Sequence, residues 1–394
     1  MSKLILITNP GSASRKYALY NSEEFIASFH FEYENGQVIC NIKDVDDGDK
    51  IIKPNFTNIA DTVAHIGDIL RDEGYINDQH KLDAIVARVV APMEFFTTHH
   101  IVDDELMEHL ETAKERAPLH APVIADEIAR FRKDFKGTKI IAISDSAFHD
   151  NKPKLMKYYP FDTDLADKAG IKRYGYHGLS VGSIVYTMKQ EDILPEKLII
   201  AHIGSGSSIT AVYNGITMDT SMGFSPFEGV MMSTRAGSID VTAAIAIKRE
   251  LGLNDAELKD YLNKKAGLLG VSGSTDDMRT IIEKRNAGDE KASFAHALFV
   301  YRLQNLIGQM AASLDGADAF VFTATVGERS SEIRHYVTQK LSYLGFKLDE
   351  TKNKAPEFTG KYANIATTNS KPVYVIRTDE VAEMIRHALH YLGD

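Results

Sequence analysis

The chain has 394 residues, more than one ordinary hydrophobic core holds, and 44% hydrophobic with 25% charged residues is the balance of a globular protein in water. Its net charge of −10 argues against nucleic acid as a partner, because that binding is driven by clustered Lys and Arg, yet small anions remain open to a locally positive cleft. One cysteine, Cys40, excludes an internal disulfide, and with no signal-like N-terminus and no apolar run near the ~20 residues of a bilayer span, a cytoplasmic protein is expected.

In chain order, Leu4–Thr8 reads as an apolar strand that passes through the turn Asn9-Pro-Gly-Ser-Ala-Ser14 into a second strand, Lys16–Tyr20. Cys40 reads as filler in a strand. The acidic run Asp44–Asp49 superficially suggests a calcium loop. Its glycine is one position early and Asn55 stands where a bidentate Glu belongs, so a solvated turn is predicted. Ile59, Val63, Ile66 and Leu70 have helical spacing, with Gly74 as the stop. Ala84–Val90 reads as a buried strand that carries one charge, Arg88. A helix from near Pro122 puts Ile124, Ile128, Phe131 and Phe135 on one face and closes at Gly137. Strand Lys139–Ser144 then delivers Asp145 at its carboxyl end, where ligands sit in open α/β sheets.

The second half opens like the first. Leu198–Ile203 runs through Gly204-Ser-Gly-Ser-Ser208 into Ile209–Tyr213. In both hairpins short side chains let backbone N–H groups and hydroxyls close around an anion, and glycine permits the bend. Two related domains gripping a phosphorylated ligand are therefore predicted. A long helix over about 291–314 leads into strand Ala319–Thr323 and a turn, Thr325-Val-Gly327. The last helix is predicted to take Thr378 as N-cap and to bury Val381, Met384, Ile385, Leu389 and Leu392. Strands separated by helices place the chain in the α/β class.

Moving a phosphoryl group is mostly positioning plus fixed positive charge and a metal, because the transferred group spreads negative charge over three oxygens. Arg88, inside an apolar strand, is either half of an internal ion pair or part of such a site. Arg235, among small residues and methionines with no nearby acid, is either a surface arginine or an anion ligand. His177 lies in Arg-Tyr-Gly-Tyr-His-Gly, a poor address for a merely packed imidazole. Asp145 and Glu380 could cap a turn and face a helix dipole, or serve Mg²⁺, which takes one or two protein carboxylates.

Together these residues resemble the acetate kinase family over nearly the whole chain. The resemblance rests on Asn9–Lys16, Ala117–His120, Ser144–His149, Arg173–Gly178, the long block Asp219–Gly237, Leu268–Ser274 with Asp277 and Arg279, and Thr378–Glu380. It implies duplicated RNase H-like α/β domains of the actin and sugar-kinase type flanking an interdomain cleft. Residues 1–147 with 380–394 would form the acyl and phosphate side, and 148–379 the nucleotide-binding and dimerisation domain. It also implies reversible phosphoryl transfer from ATP to acetate or propionate, with Mg²⁺ or Mn²⁺, by a cytoplasmic homodimer that binds neither nucleic acid nor membrane. By position, Arg88 and Arg235 would hold the carboxylate and the in-flight phosphoryl group, His177 would donate to that group, and His120 would support the same site. Asp145 and Asn9 would organise the reacting oxygens and, with Glu380, the hydrated metal. Val90, Leu119, Tyr176 and Pro226 match the acyl pocket. Ser12, Ser14, Lys16, His202, Gly204, Ser205, Gly206, Thr325, Val326 and Gly327 match the phosphate turns, and Asp277 and Arg279 the nucleoside contacts.

Departures from the family pattern fall in the site itself. The family's His-Arg-Val-Val-His-Gly-Gly is Ala87-Arg88-Val89-Val90-Ala91-Pro92-Met93 here. Ser205 replaces an asparagine, Val181 a histidine, and the third glycine turn has become Thr325-Val-Gly-Glu-Arg329. A β-branched Thr325 is expected to crowd the nucleotide phosphates. Three accounts stay open: drift with activity kept, a changed donor such as pyrophosphate or a changed acceptor, and a catalytically weak ligand-binding homologue.

Overall fold

A computed structural model describes residues 2–10, 14–116 and 121–393. Ser12, Leu119 and His120 lie outside the described residues. The chain falls into two units, Met1–Ala147 with Asp379–Asp394, and Phe148–Thr378.

The first unit is built on β1 (Leu4–Pro10), β2 (Arg15–Asn21), β3 (Glu24–Glu34), β4 (Gln37–Asp44), β5 (Gly48–Ile52), β6 (Ala84–Val89), β7 (His100–Ile101) and β8 (Lys139–Ser144). They form one sheet in the order β5-β4-β3-β2-β1-β6-β8-β7, antiparallel except for the parallel pairs β1/β6 and β6/β8. Apolar clusters cover the sheet. One joins Leu6, Phe29 and Phe31 to Ile66, Leu70 and Phe131, and another joins Ala87 and Val89 to Phe96, Leu106, Leu110, Ile124 and Ile128. The helix expected from Ile59 begins as a short 3-10 turn, Ile59–Asp61, because the Asn58 side chain accepts from Ala60 N–H at 3.0 Å; the α-helix proper is Thr62–Asp72. The acidic run is a turn between β4 and β5, where Asp44 Oδ1 accepts from the amides of Asp46 at 2.7 Å and Asp47 at 2.8 Å. Cys40 is buried in β4, and burial pushes its thiol up to about 12.

The last helix, Glu380–Leu392, belongs to this unit and departs from expectation at its start. Asp379, not Thr378, is the N-cap, its carboxylate accepting from Ala382 N–H at 3.0 Å. The Thr378 hydroxyl is engaged elsewhere, donating to Ser180 Oγ at 2.9 Å. Met384, Ile385 and Ala388 are buried as a stripe, while Val381, Leu389 and Leu392 are only half-buried.

The second unit contains β9 (Lys197–Ile203), β10 (Ser207–Tyr213), β11 (Ile216–Thr220), β12 (Ala319–Thr323), β13 (Tyr362–Asn364) and β14 (Val373–Ile376), ordered β11-β10-β9-β12-β14-β13. Side chains of β9 alternate between two cores, as the period of two requires. Ile199, Ala201 and Ile203 pack with Phe299, Leu303, Ile307 and Met310 of the helix Glu290–Leu314. Leu198 and Ile200 pack with Val181, Ile184, Val185 and Met188 of the helix Gly178–Gln190. Helices on both faces explain why these strands read as unbroken apolar runs. The expected turn at Thr325 is instead the first turn of a short helix, Ala324–Arg329. The left-handed residue there is Ala324 at φ +65°, one position before the site where glycine was expected.

The two sheets repeat one topology. The run β3-β2-β1-β6-β8-β7 and the run β11-β10-β9-β12-β14-β13 each read antiparallel, antiparallel, parallel, parallel, antiparallel. The α/β class with duplicated domains is therefore the observed fold.

Candidate active site

In the first unit the expected site residues Asn9, Arg88 and Asp145 lie at the carboxyl ends of β1, β6 and β8. Arg88 sits near the end of β6 and is tied on both Nη atoms: Nη2 donates to Asp145 Oδ1 at 2.9 Å and Nη1 to Glu380 Oε2 at 2.9 Å. Burial works against its charge, but Asp145 and Glu380 outweigh that and hold the guanidinium well above its ordinary value. Arg88 Nε is buried with no hydrogen-bond partner among the described residues. Asp145 is fixed by its own backbone, whose N–H donates to Val89 O at 2.9 Å. Because β1 and β6 run parallel with Thr8 opposite Ala87, Asn9 comes level with Arg88. Asp145 and Glu380, with Asn9 level with Arg88 in register, supply oxygen donors of the kind hydrated Mg²⁺ takes.

Asn9 pairs with Lys16 across the first hairpin, and the buried Glu127 of the helix Ala121–Asp134 clamps both of its stems. The Thr8 hydroxyl donates to Glu127 Oε1, and Arg15 Nε lies 3.8 Å from Oε2. Burial raises the Glu127 carboxyl. Sequence reasoning missed Glu127, although a signal existed: an acid inside the apolar stripe of Ile124, Ile128 and Phe131. Ser14 and Val90 are half-buried and Lys16 is exposed.

In the second unit the elements converge on the tight turn between β9 and β10. A Cβ built on Gly206 would stand 3.1 Å from Arg235 Nη2 and 3.3 Å from His177 Nε2, so glycine is what lets both groups approach the turn. Ser205 is exposed at its tip, and Ser205 O accepts from Ser233 N–H at 3.2 Å, linking the turn to the loop that carries Arg235. No carboxylate pairs with Arg235 among the described residues; its Nη1 donates to Pro226 O, and burial lowers its pKa. The His177 ring is aimed by Ser208, whose Oγ lies 2.9 Å from Nδ1, and it stacks on His202 at a centroid distance of 4.0 Å. His202 in turn has Nδ1 2.8 Å from Ser180 Oγ, which accepts from Thr378. Its Nε2 faces Gly204, where a Cβ would lie 3.9 Å away. Ser208 entered the sequence reading as the end of the anion-binding turn and instead lies in β10, while Ser180 was not singled out, since a serine in a helix carries no local signal.

Other expected site residues of this unit are placed less tellingly. Tyr176 is buried, and its hydroxyl donates to Phe224 O at 2.7 Å. Asp277 caps the helix Met278–Asn286 and pairs with Arg279 at 2.6 Å, which lowers its carboxyl to about 2. Thr325 is exposed, Val326 half-buried, and the space at Gly327 would admit a Cβ with only ordinary contacts.

Residues 4–386 match the model of the Acetokinase family. The chain belongs to the acetokinase family. It is 36% identical over 399 residues to the acetate kinase of Thermoanaerobacter pseudethanolicus, covering 95% of this chain and 96% of that one. Among solved structures, the propionate kinase of Francisella tularensis superposes with a TM-score of 0.89 at 30% identity, covering 98% of both chains. The acetate kinase of Porphyromonas gingivalis superposes with a TM-score of 0.86 at 29% identity over all of both chains. The acetokinase fold of two duplicated α/β domains is thus matched along the full chain.

Proposed function

We propose that this acetokinase-family enzyme transfers the terminal phosphoryl group of ATP to acetate, or to propionate, giving an acyl phosphate and ADP, and catalyses the reverse. The observation that carries the reading is the approach of Arg235 Nη2 and His177 Nε2 to Gly206 in a turn of short side chains. A guanidinium without a carboxylate partner among the described residues is free to neutralise a charge that grows in the transition state. His177, receiving the Ser208 hydroxyl proton at Nδ1, presents Nε2–H to the same group. Asp145, Asn9 and Glu380 would hold hydrated Mg²⁺, which supplies charge neutralisation at the phosphates when bound. Arg88 keeps both carboxylates in register and would hold the acyl carboxylate through the Nη N–H groups that Asp145 and Glu380 leave over. His202 and the turns at 204–206 and 325–327 would bind the nucleotide phosphates, with Asp277 and Arg279 at the nucleoside.

We propose further that the enzyme is a cytoplasmic homodimer. Support for pairing comes from the helix Val241–Glu250, which buries no residue and leaves Val241 71% and Ile245 40% exposed. No helix among the described residues is long and apolar enough to cross a membrane.

The test is hydroxamate trapping of the acyl phosphate with acetate, propionate and butyrate, each against ATP, GTP and pyrophosphate. Turnover is expected with acetate or propionate and ATP. A pyrophosphate-only reaction would shift the donor, and no product with any pair would leave a ligand-binding homologue.

A further inference from the structure

The segment that delivers His177 is gripped by two buried side chains with no part in the chemistry above. His149 is fully buried, with Nε2 2.9 Å from Tyr176 O and Nδ1 3.0 Å from Thr217 Oγ1. A carbonyl only accepts, so Nε2 carries the proton and Nδ1 accepts from the Thr217 hydroxyl. Burial holds the ring's pKa down at about 3, which keeps this neutral donor pattern at any working pH. Lys152, 5% exposed, donates from Nζ to Tyr174 O at 2.7 Å and to His149 O at 3.1 Å, and burial lowers its pKa to about 7. The carbonyls of Tyr174 and Tyr176, on either side of Gly175, are therefore each held by a buried amine or imidazole N–H.

Between the two grips the backbone passes too close to the imidazole for any side chain. Gly175 has φ +86°, and a Cβ there would fall 2.8 Å from His149 Cδ2 and 2.7 Å from Thr220 Cγ2. His177 follows at φ +59°, a left-handed non-glycine residue at the start of the helix Gly178–Gln190. Such a conformation persists only where its surroundings over-determine it, and it concentrates at functional sites.

We propose that His149, backed by Lys152, is a positioning residue for His177: by fixing the Tyr176 carbonyl it sets the peptide plane that enters the left-handed residue, and so aims the catalytic imidazole at Gly206 and Arg235. The proposal rests on the reading that His177 acts on the transferred phosphoryl group. His149→Phe keeps the ring volume and removes the donor, while His149→Gln returns an N–H at the Nε2 position. On the full-length enzyme, His149→Phe should lower kcat by about 100-fold, the loss expected of a misplacement near 1 Å. KM for ATP and acetate should stay within about threefold, and the ring ¹⁵N shifts of His177 should move. His149→Gln should recover at least about tenfold of the loss. If His149→Phe does not fold, Lys152→Met carries the test with the same split between kcat and KM. Turnover within threefold of wild type in His149→Phe, or in Lys152→Met where that variant stands in, overturns the proposal. So does an equal loss in the Phe and Gln variants with the His177 ring shifts unmoved. His177→Asn at wild-type turnover would instead remove the underlying reading and leave the shift measurement to judge the geometry.

Discussion

At the scale of single residues, the two arginines are in opposite electrostatic situations. Arg88 is locked between Asp145 and Glu380, whereas among the described residues Arg235 pairs with no carboxylate and donates to the Pro226 carbonyl. Arg88→Ala leaves two carboxylates facing each other with their cation gone, so it should cost about 3–5 kcal/mol of stability as well as activity. Arg235→Ala removes a desolvated charge and should leave the thermal midpoint near wild type while lowering acyl phosphate formation by about 10²–10³. His177→Ala should behave like Arg235→Ala. Paired melting curves and turnover numbers check the contrast; equal stability losses in the two arginine variants would contradict it.

At the scale of elements, the turn between β9 and β10 works by close approach. Gly206→Val should therefore displace Arg235 and His177 and lower kcat by about 100-fold, while melting stays close to wild type; unchanged turnover would mean that the turn does not meet the reacting groups. Which elements were legible follows from what made them. Strands β6, β8, β9 and β12 are buried apolar runs, and their signal survives in sequence because both faces are covered. Strands β3 and β5 escaped reading, and β4 was read only at Cys40, because they form a meander with mixed exposure. The helix cap fell to Asp379 because Thr378 binds Ser180, a contact 198 positions away that no local pattern reports. The same holds for Glu127, which answers to Thr8 and Arg15 across 119 positions from Thr8. Motif residues could be named from sequence, but the side chains that hydrogen-bond them (Ser208 on His177, Ser180 on His202, Glu127 on Thr8) are non-local partners.

At the scale of the whole molecule, duplication of one sheet topology gives each unit an antiparallel hairpin beside parallel strands. Burial also sets how stability responds to acid. His99, His149 and His296, ordinarily near 6.5, are held to about 3, about 3 and about 4 by burial. Below about pH 6.5 the unfolded chain takes up protons that the folded chain refuses until pH 3–4. Stability should therefore be complete above that point and fall as pH drops, by up to about 1.4 kcal/mol per pH unit for each histidine. Denaturant midpoints at pH 7.5, 6.5 and 5.5 check this, and a flat profile would contradict it.

The most direct test of the catalytic constellation is transfer of labelled terminal phosphate from ATP to acetate, trapped as hydroxamate, by wild type and Arg235→Ala prepared side by side. The expected result is acetate-dependent label transfer in wild type and a loss of at least about 100-fold in a variant that melts normally. Equal transfer by the two proteins would contradict the assignment of Arg235, His177 and the Gly206 turn as the phosphoryl-transfer site.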